Sequence, residues 1–169
     1  LSRIQESKLE LQMESFSLNK MVEESVDDIR YSSTITKVKI IHKSQLMVSG
    51  DRDRICQVLI NLITNAIKYS PEDKNIEVKV FKEREGLASV SVKDRGIGIK
   101  QEDQQNIFER FFRVTGKDEQ TYSGFGIGLF LAKEIMTRHH GDIKVKSEKG
   151  KGSVFTFSLP LTSKEVKGQ

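Results

Sequence analysis

The sequence predicts an α/β fold: a two-layer sandwich in which a mixed, mostly antiparallel sheet carries helices on one face. Three observations predict it. Short runs of alternating apolar and polar residues, at 76–80, 88–92 and 155–159, read as half-buried strands. Longer runs with apolar residues at helical spacing, strongest over 52–69, read as amphipathic helices. The two kinds interleave along the chain, as elements sharing one core do.

Residues 1–15 are highly charged and read as a helix with a thin apolar stripe, Ile4, Leu9 and Leu11, that needs a partner. Ser17 is placed to cap a second helix over about 18–33, with Met21, Val22, Val26 and Ile29 on its apolar face. Val38 and Ile40, then Leu46 and Val48, mark short strands. Gly50-Asp51 opens the strongest helix, 52–69, whose buried face is Ile55, Val58, Leu59, Leu62, Ile63 and Ala66; Pro71 helps to stop it. Two strands follow, turning at Glu85-Gly86. A loop over 94–100, a short helix near 101–110 and a long polar loop over 113–126 come next, and a loop of that length in a compact chain is usually functional or disordered. A helix over about 127–139, strands at Ile143/Val145 and Phe155–Leu159 around a Gly150-Lys151-Gly152 turn, and a loose tail over 163–169 complete the chain.

The 169 residues suit one compact domain with a short appendage. Apolar residues at 36% and charged residues at 31% indicate a globular rather than a disordered chain. No apolar run is long enough to span a bilayer. The chain opens at Leu1 on a charged stretch without a signal peptide and is read as a fragment of a longer protein. A single cysteine, Cys56, fits a reducing, cytoplasmic setting and is placed as a buried, inert thiol. The net charge of +4 is spread along the chain, with Lys37, Lys39, Lys79, Lys144 and Lys146 where strands face water, and no basic block is interleaved with aromatics, which argues against nucleic acid.

Three segments carry chemistry. At about 100° per residue, Asn61, Asn65 and Lys68 fall within about 60° of one another, beside the apolar stripe of their helix. A carboxamide oxygen is a hard neutral ligand suited to Mg²⁺, and a lysine beside it can neutralise phosphate. Asp94-Arg95-Gly96-Ile97-Gly98 places an acid at a strand end before glycines that admit a flat ligand. A carboxylate accepts a hydrogen bond from an exocyclic amine but not from a carbonyl oxygen, which favours adenine over guanine. Gly124-Phe125-Gly126-Ile127-Gly128-Leu129 opens a helix, where backbone N–H groups can meet phosphate. Between them, Phe108, Phe111 and Phe112 read mainly as core, with Arg110 or Arg113 able to reach a phosphate. There is no GxxxxGK[ST], which excludes a Walker-type site.

Taken together these segments identify a family. Asn61-Leu62-Ile63-Thr64-Asn65-Ala66 resembles the N box, Asp94-x-Gly96-x-Gly98 the first glycine box, Phe108–Arg113 the F box, Gly124–Leu129 the second glycine box and Gly150-Lys151-Gly152-Ser153 the last glycine motif, all in family order over about 17–161. The family is the histidine kinase branch of the Bergerat-fold (GHKL) ATP-binding domains, which also include gyrase-type ATPases, MutL-type repair proteins and heat-shock chaperones.

The resemblance implies Mg-ATP as cofactor. It implies that Asn65 coordinates Mg²⁺ with support from Asn61, that Lys68 and Arg113 touch phosphate, that Tyr69 lines the pocket and that Asp94 binds the adenine amine. It also implies nucleotide contacts from Gly96, Gly98, Ile99, Phe108, Gly124, Gly126, Ile127, Gly128, Leu129 and Thr156, with 113–126 as an ATP lid. Hydrolysing relatives place a glutamate general base where this chain has Asn61, so the γ-phosphoryl group is expected to await a histidine on a separate hairpin domain. None of His42, His139 and His140 has the H-E/D-x-x-x-P context of that acceptor, and His139-His140-Gly141 reads as a loop where the family often has His-Gly-Gly. Residues 1–15 resemble the end of the second hairpin helix, 16–162 the catalytic domain. Implied partners are the hairpin domain and a response regulator receiver domain, with no nucleic acid and no membrane contact by this domain, the parent being free to anchor in a membrane. The alternatives are an ATP-hydrolysing clamp of the gyrase or chaperone kind and a serine kinase of the anti-sigma type.

Overall fold

In the computed structural model the described residues are 10–32, 37–84, 86–114 and 126–162. They form β1 (Glu14–Ser17), α1 (Leu18–Ser32), β2 (Lys37–His42), β3 (Met47–Gly50), α2 (Arg52–Lys68), β4 (Asn75–Lys82), β5 (Leu87–Lys93), α3 (Gly128–Arg138), β6 (Asp142–Glu148) and β7 (Gly152–Pro160).

The main sheet has the order β2-β4-β5-β7-β6; β2 and β4 run parallel and every other neighbouring pair is antiparallel. Strand alternation sorts its faces. Val78, Val92 and Phe155 lie in register and buried, as do Val80, Val90, Phe157 and Ile143. The helices pack on this face, α1 against β2, α2 against β4 and β5, α3 against β6 and β7. The other face carries Lys39, Glu77 and Lys93 in one row and Lys79, Ser91, Thr156 and Lys144 in the next. The predicted sandwich, with its helices on one face, is the observed one.

α1 begins where its cap predicts, with Ser17 Oγ accepting from Lys20 N–H at 3.2 Å. α2 buries all six predicted apolar residues. Its cap is Asp51, whose Oδ1 accepts from Arg54 N–H at 3.1 Å while Oδ2 accepts from Gln12 N–H at 3.0 Å. Burial alone would raise the Asp51 carboxyl, but these two amide donors, together with the nearby Arg54 charge, hold it below the ordinary carboxylate value. Asp51→Ala is expected to cost about 1–2 kcal/mol in denaturant unfolding at neutral pH, from the lost cap. The sign of the shift fixes the pH dependence: the charge-linked stability exists above the unfolded pKa and disappears as pH falls through the depressed folded value. The cost should therefore shrink on acidification; a constant cost would mean that the charge contributes nothing.

Two elements differ from the sequence reading. Glu10–Met13 are irregular and Glu14–Ser17 form a strand, not the end of a helix; residues 1–9 lie outside the described residues. β1 pairs antiparallel with β3, Phe16 opposite Val48, and Phe16 is buried, so a long-range partner overrides local helical preference. Positions 15 and 16 both lie within β1. Residues 101–110 are successive turns, with N–H of Asp103, Asn106 and Glu109 donating to the carbonyls of Lys100, Asp103 and Asn106. Short polar Asp and Asn side chains favour turns over helix, and the Gln104 amide reaches sideways to the carbonyls of Ile99 and Ser147.

Candidate nucleotide-binding site

A cavity of about 200 Å³ opens between α2, α3 and the sheet. The last turn of α2 supplies Asn65, Lys68 and, as its C-cap, Tyr69, with the Lys68 ammonium 5.0 Å from the Tyr69 ring centroid. Asn61 stands one turn earlier and does not line the cavity; its carboxamide packs against Gly128, where an added Cβ would come within 2.7 Å of Oδ1.

Asp94 follows β5 on the cavity wall and is only 6% exposed. Its Oδ1 accepts from Gly96 N–H at 2.8 Å and from Ser153 N–H at 3.2 Å, and its own N–H donates to the Ser153 carbonyl at 2.9 Å. Burial pushes the Asp94 carboxyl above its ordinary value, and the Gly96 and Ser153 amides oppose the rise. The group is an acceptor fixed by two neighbouring strands. Gly98 and Ile99 also line the cavity. Gly96 does not: a Cβ there would sit 2.0 Å from the Tyr69 carbonyl, so this glycine lets the loop press against the end of α2.

On the opposite wall, Gly126, Gly128 and Leu129 line the cavity where α3 starts. The N-cap of α3 is Ile127, 40% exposed and not on the wall, and among the described residues no side chain caps the helix. Gly124 and most of the expected lid, 115–125, lie outside the described residues. Arg113 lines the cavity, whereas the Arg110 guanidinium lies 4.8 Å from the ring of Phe111, which is 61% exposed and not core.

Besides Asn61, Gly96 and Ile127, two further expected contacts, Thr156 and Phe108, lie off the wall. Thr156 faces away from the cavity: it lies in register with Ser91 and Lys144 on the outer face of β7, as alternation from buried Phe155 and Phe157 requires. Phe108 is not on the wall either; its ring meets Phe155 edge-on at 6.4 Å, and Phe155 lines the cavity. Ser153 and Phe155 are the wall residues on that strand. The period of two, counted from the Gly150–Ser153 motif, was the signal that points to them. Ile97, Ile107 and Phe112 add an apolar surface, suited to the faces of a flat ring. Among the described residues no group of three His, Cys, Asp or Glu could hold a metal ion, and no helix is long and apolar enough to cross a membrane.

Residues 50–163 match the family of histidine kinase-, DNA gyrase B- and HSP90-like ATPases. The chain is 44% identical over 121 residues to the sensor histidine kinase WalK of Bacillus subtilis, covering 71% of this chain and 20% of that protein. It is 37% identical to the adaptive-response sensory kinase SasA of Thermosynechococcus vestitus, covering 94% of this chain and 42% of SasA. It thus spans from a fifth to two fifths of the length of these relatives. Among solved structures, the catalytic domain of the histidine kinase ThkA superposes with a TM-score of 0.73 at 29% identity, covering 88% of this chain and 95% of that one. The mycobacterial sensor histidine kinase MprB shares the fold at a TM-score of 0.76 and 24% identity, covering 88% and 97%. With Asn65 of the N box, Asp94 and Gly98 of the first glycine box and Gly126, Gly128 and Leu129 of the second on its cavity wall, the chain belongs to the histidine kinase-, DNA gyrase B- and HSP90-like ATPase family, as an ATP-binding catalytic domain of the sensor histidine kinase branch.

Proposed function

We propose that this chain binds Mg-ATP and presents the γ-phosphoryl group to a histidine on a separate hairpin domain, from which it passes to a response regulator receiver domain. The observation that carries this reading is the buried Asp94 acceptor in a cavity whose other walls include Asn65, Lys68 and the glycines at the N-terminus of α3. Asp94 Oδ2 would take the adenine amine, and Ile97, Ile107 and Phe112 would cover the ring. The glycines Gly126 and Gly128, at the helix start, would offer backbone amides to the phosphates. Lys68 and Arg113 would offset phosphate charge.

The donor set fits Mg²⁺ carried in by ATP. Asn65 offers one hard, neutral oxygen from a half-buried position beside Lys68, and a metal that keeps several waters and phosphate oxygens needs little more from protein. When bound it would supply charge neutralisation and orientation of the phosphates. Asn61 as a carboxamide cannot take a proton from water. This favours transfer to an imidazole over hydrolysis.

Incubating the chain with γ-labelled ATP, Mg²⁺ and a purified hairpin domain from a sensor histidine kinase tests the reading. The expected result is acid-labile label on the hairpin histidine and little free phosphate without it. Rapid phosphate release by the chain alone would favour the hydrolysing clamp instead, and acid-stable label on serine the anti-sigma type of kinase.

A further inference from the structure

α2 and α3 hold the two halves of the phosphate end of the cavity, Asn65 on one and Gly128 on the other. They run antiparallel, and they meet closely at two points. At one, Gly128 approaches Asn61 so nearly that a Cβ would lie 2.7 Å from Oδ1. At the other, the C-cap of α3, His139, meets the residues that start α2. The path from Asp51 to Asn61 along α2 is about 15 Å and that from Gly128 to His139 about 16 Å at the helical rise. The two helices are therefore pinned at matched lengths.

The second pin is specific. His139 is 3% exposed although its neighbour His140 is exposed in a left-handed turn with φ 57°. Its Nδ1 lies 2.7 Å from the Ile135 carbonyl, and its Nε2 accepts from Asp51 N–H at 2.9 Å. A carbonyl only accepts and an amide only donates, so the ring must carry its proton on Nδ1 and leave Nε2 bare. The ring edge also packs on Gly50, where a Cβ would come 3.0 Å from Cδ2. The same Asp51 caps α2 and holds Gln12. Asp51 thus ties the start of α2, the end of α3 and the irregular segment that precedes β1.

We infer that His139 is a positioning residue: as a neutral acceptor for Asp51 N–H it fixes the register of α3 on α2, and so sets Gly128 and the first amides of α3 against Asn65. It does not line the cavity. This rests on the nucleotide-binding reading above and makes a prediction distinct from it. Asp94 is held by β5 and β7, not by α3. A slipped α3 should therefore weaken contacts to the phosphates and spare those to adenine.

The test compares wild type with His139→Leu, which removes both ring nitrogens, and His139→Gln, whose carboxamide oxygen can restore the acceptor. Binding of Mg-ADP by calorimetry and of adenosine by chemical-shift titration is measured at a temperature where melting without nucleotide shows each protein folded. His139→Leu is expected to lose about tenfold in Mg-ADP affinity with adenosine affinity within about twofold, the size of one lost buried hydrogen bond; His139→Gln should recover most of it. Nitrogen-15 spectra of the wild type should show a protonated Nδ1 and a bare Nε2, an observation that stands even if the leucine variant fails to fold. Wild type binding ADP while the leucine variant matches it, loses both ligands equally, or is not rescued by glutamine would overturn the inference, as would the other tautomer. Wild type failing to bind ADP at all would remove the nucleotide reading first, and the inference with it.

Discussion

Asp94→Asn is expected to reduce Mg-ADP affinity by roughly a hundredfold or more while leaving the fold intact. The asparagine oxygen can still accept from Gly96 and Ser153 N–H, so the loop keeps its anchors. What changes is the second atom of the group: a carboxylate oxygen becomes an NH₂ that donates, and set against the adenine amine it places donor against donor. The direction of the stability effect is opposite. Burial raises the folded pKa of Asp94 above its ordinary value of 3.8. A raised acid makes the wild type lose stability as pH rises from the unfolded pKa through the folded one, because ionising costs more in the folded state. A neutral asparagine escapes that cost. At neutral pH without nucleotide, the variant should melt at or above the wild-type temperature, and the difference should close on acidification below pH 3.8. Calorimetry with ADP and GDP, beside melting curves across pH, measures both. A variant that binds ADP normally would remove Asp94 from adenine recognition; one that melts well below wild type would make Asp94 a structural anchor instead.

This coupling of poor local stability to ligand recognition was legible in the residue type but not in its depth. An acid after the apolar run 88–92 reads as a strand end, and its being 6% exposed depends on Ser153, 59 residues later, arriving beside it. The same division holds across the fold. α2 could be read residue by residue because its buried face is set by a period within one helix. β1 could not, because Phe16 is buried only by pairing with Val48, and a thin charged stripe favours helix until that partner is known. The turns of 101–110 hide for a related reason: Gln104 is held by Ser147, far along the chain. Within the site, helical geometry brings Asn65 and Lys68 to the wall, while on β7 strand parity puts Ser153 and Phe155 there and turns Thr156 away. The apolar walls at Ile107 and Phe112 carry no chemical signature and emerge only from packing.

The glycines of the β6–β7 turn allow the sharpest separation of turn chemistry from site architecture. Gly150 and Gly152 both have positive φ, 83° and 103°. A Cβ at Gly150 would meet nothing within 4 Å, so Gly150→Ala should cost only the left-handed strain, about 1–2 kcal/mol, with ADP affinity unchanged. At Gly152 a Cβ would lie 2.2 Å from the Asp94 carbonyl and 2.8 Å from Arg95 Cα, both backbone atoms that no rotamer can move. Gly152→Ala should therefore add an overpacking cost to the strain, about 3–5 kcal/mol in all by denaturant unfolding. The displacement would fall on the Asp94–Ser153 pairing itself, since Ser153 N–H donates to Oδ1 and Asp94 N–H to the Ser153 carbonyl. Material that remains folded should then bind ADP at least about tenfold more weakly. Equal costs at the two positions would mean that β5 and β7 yield easily at their ends. In that case the adenine acceptor would be held by its own loop, by Gly96 and the end of α2, rather than by the close approach of two strands.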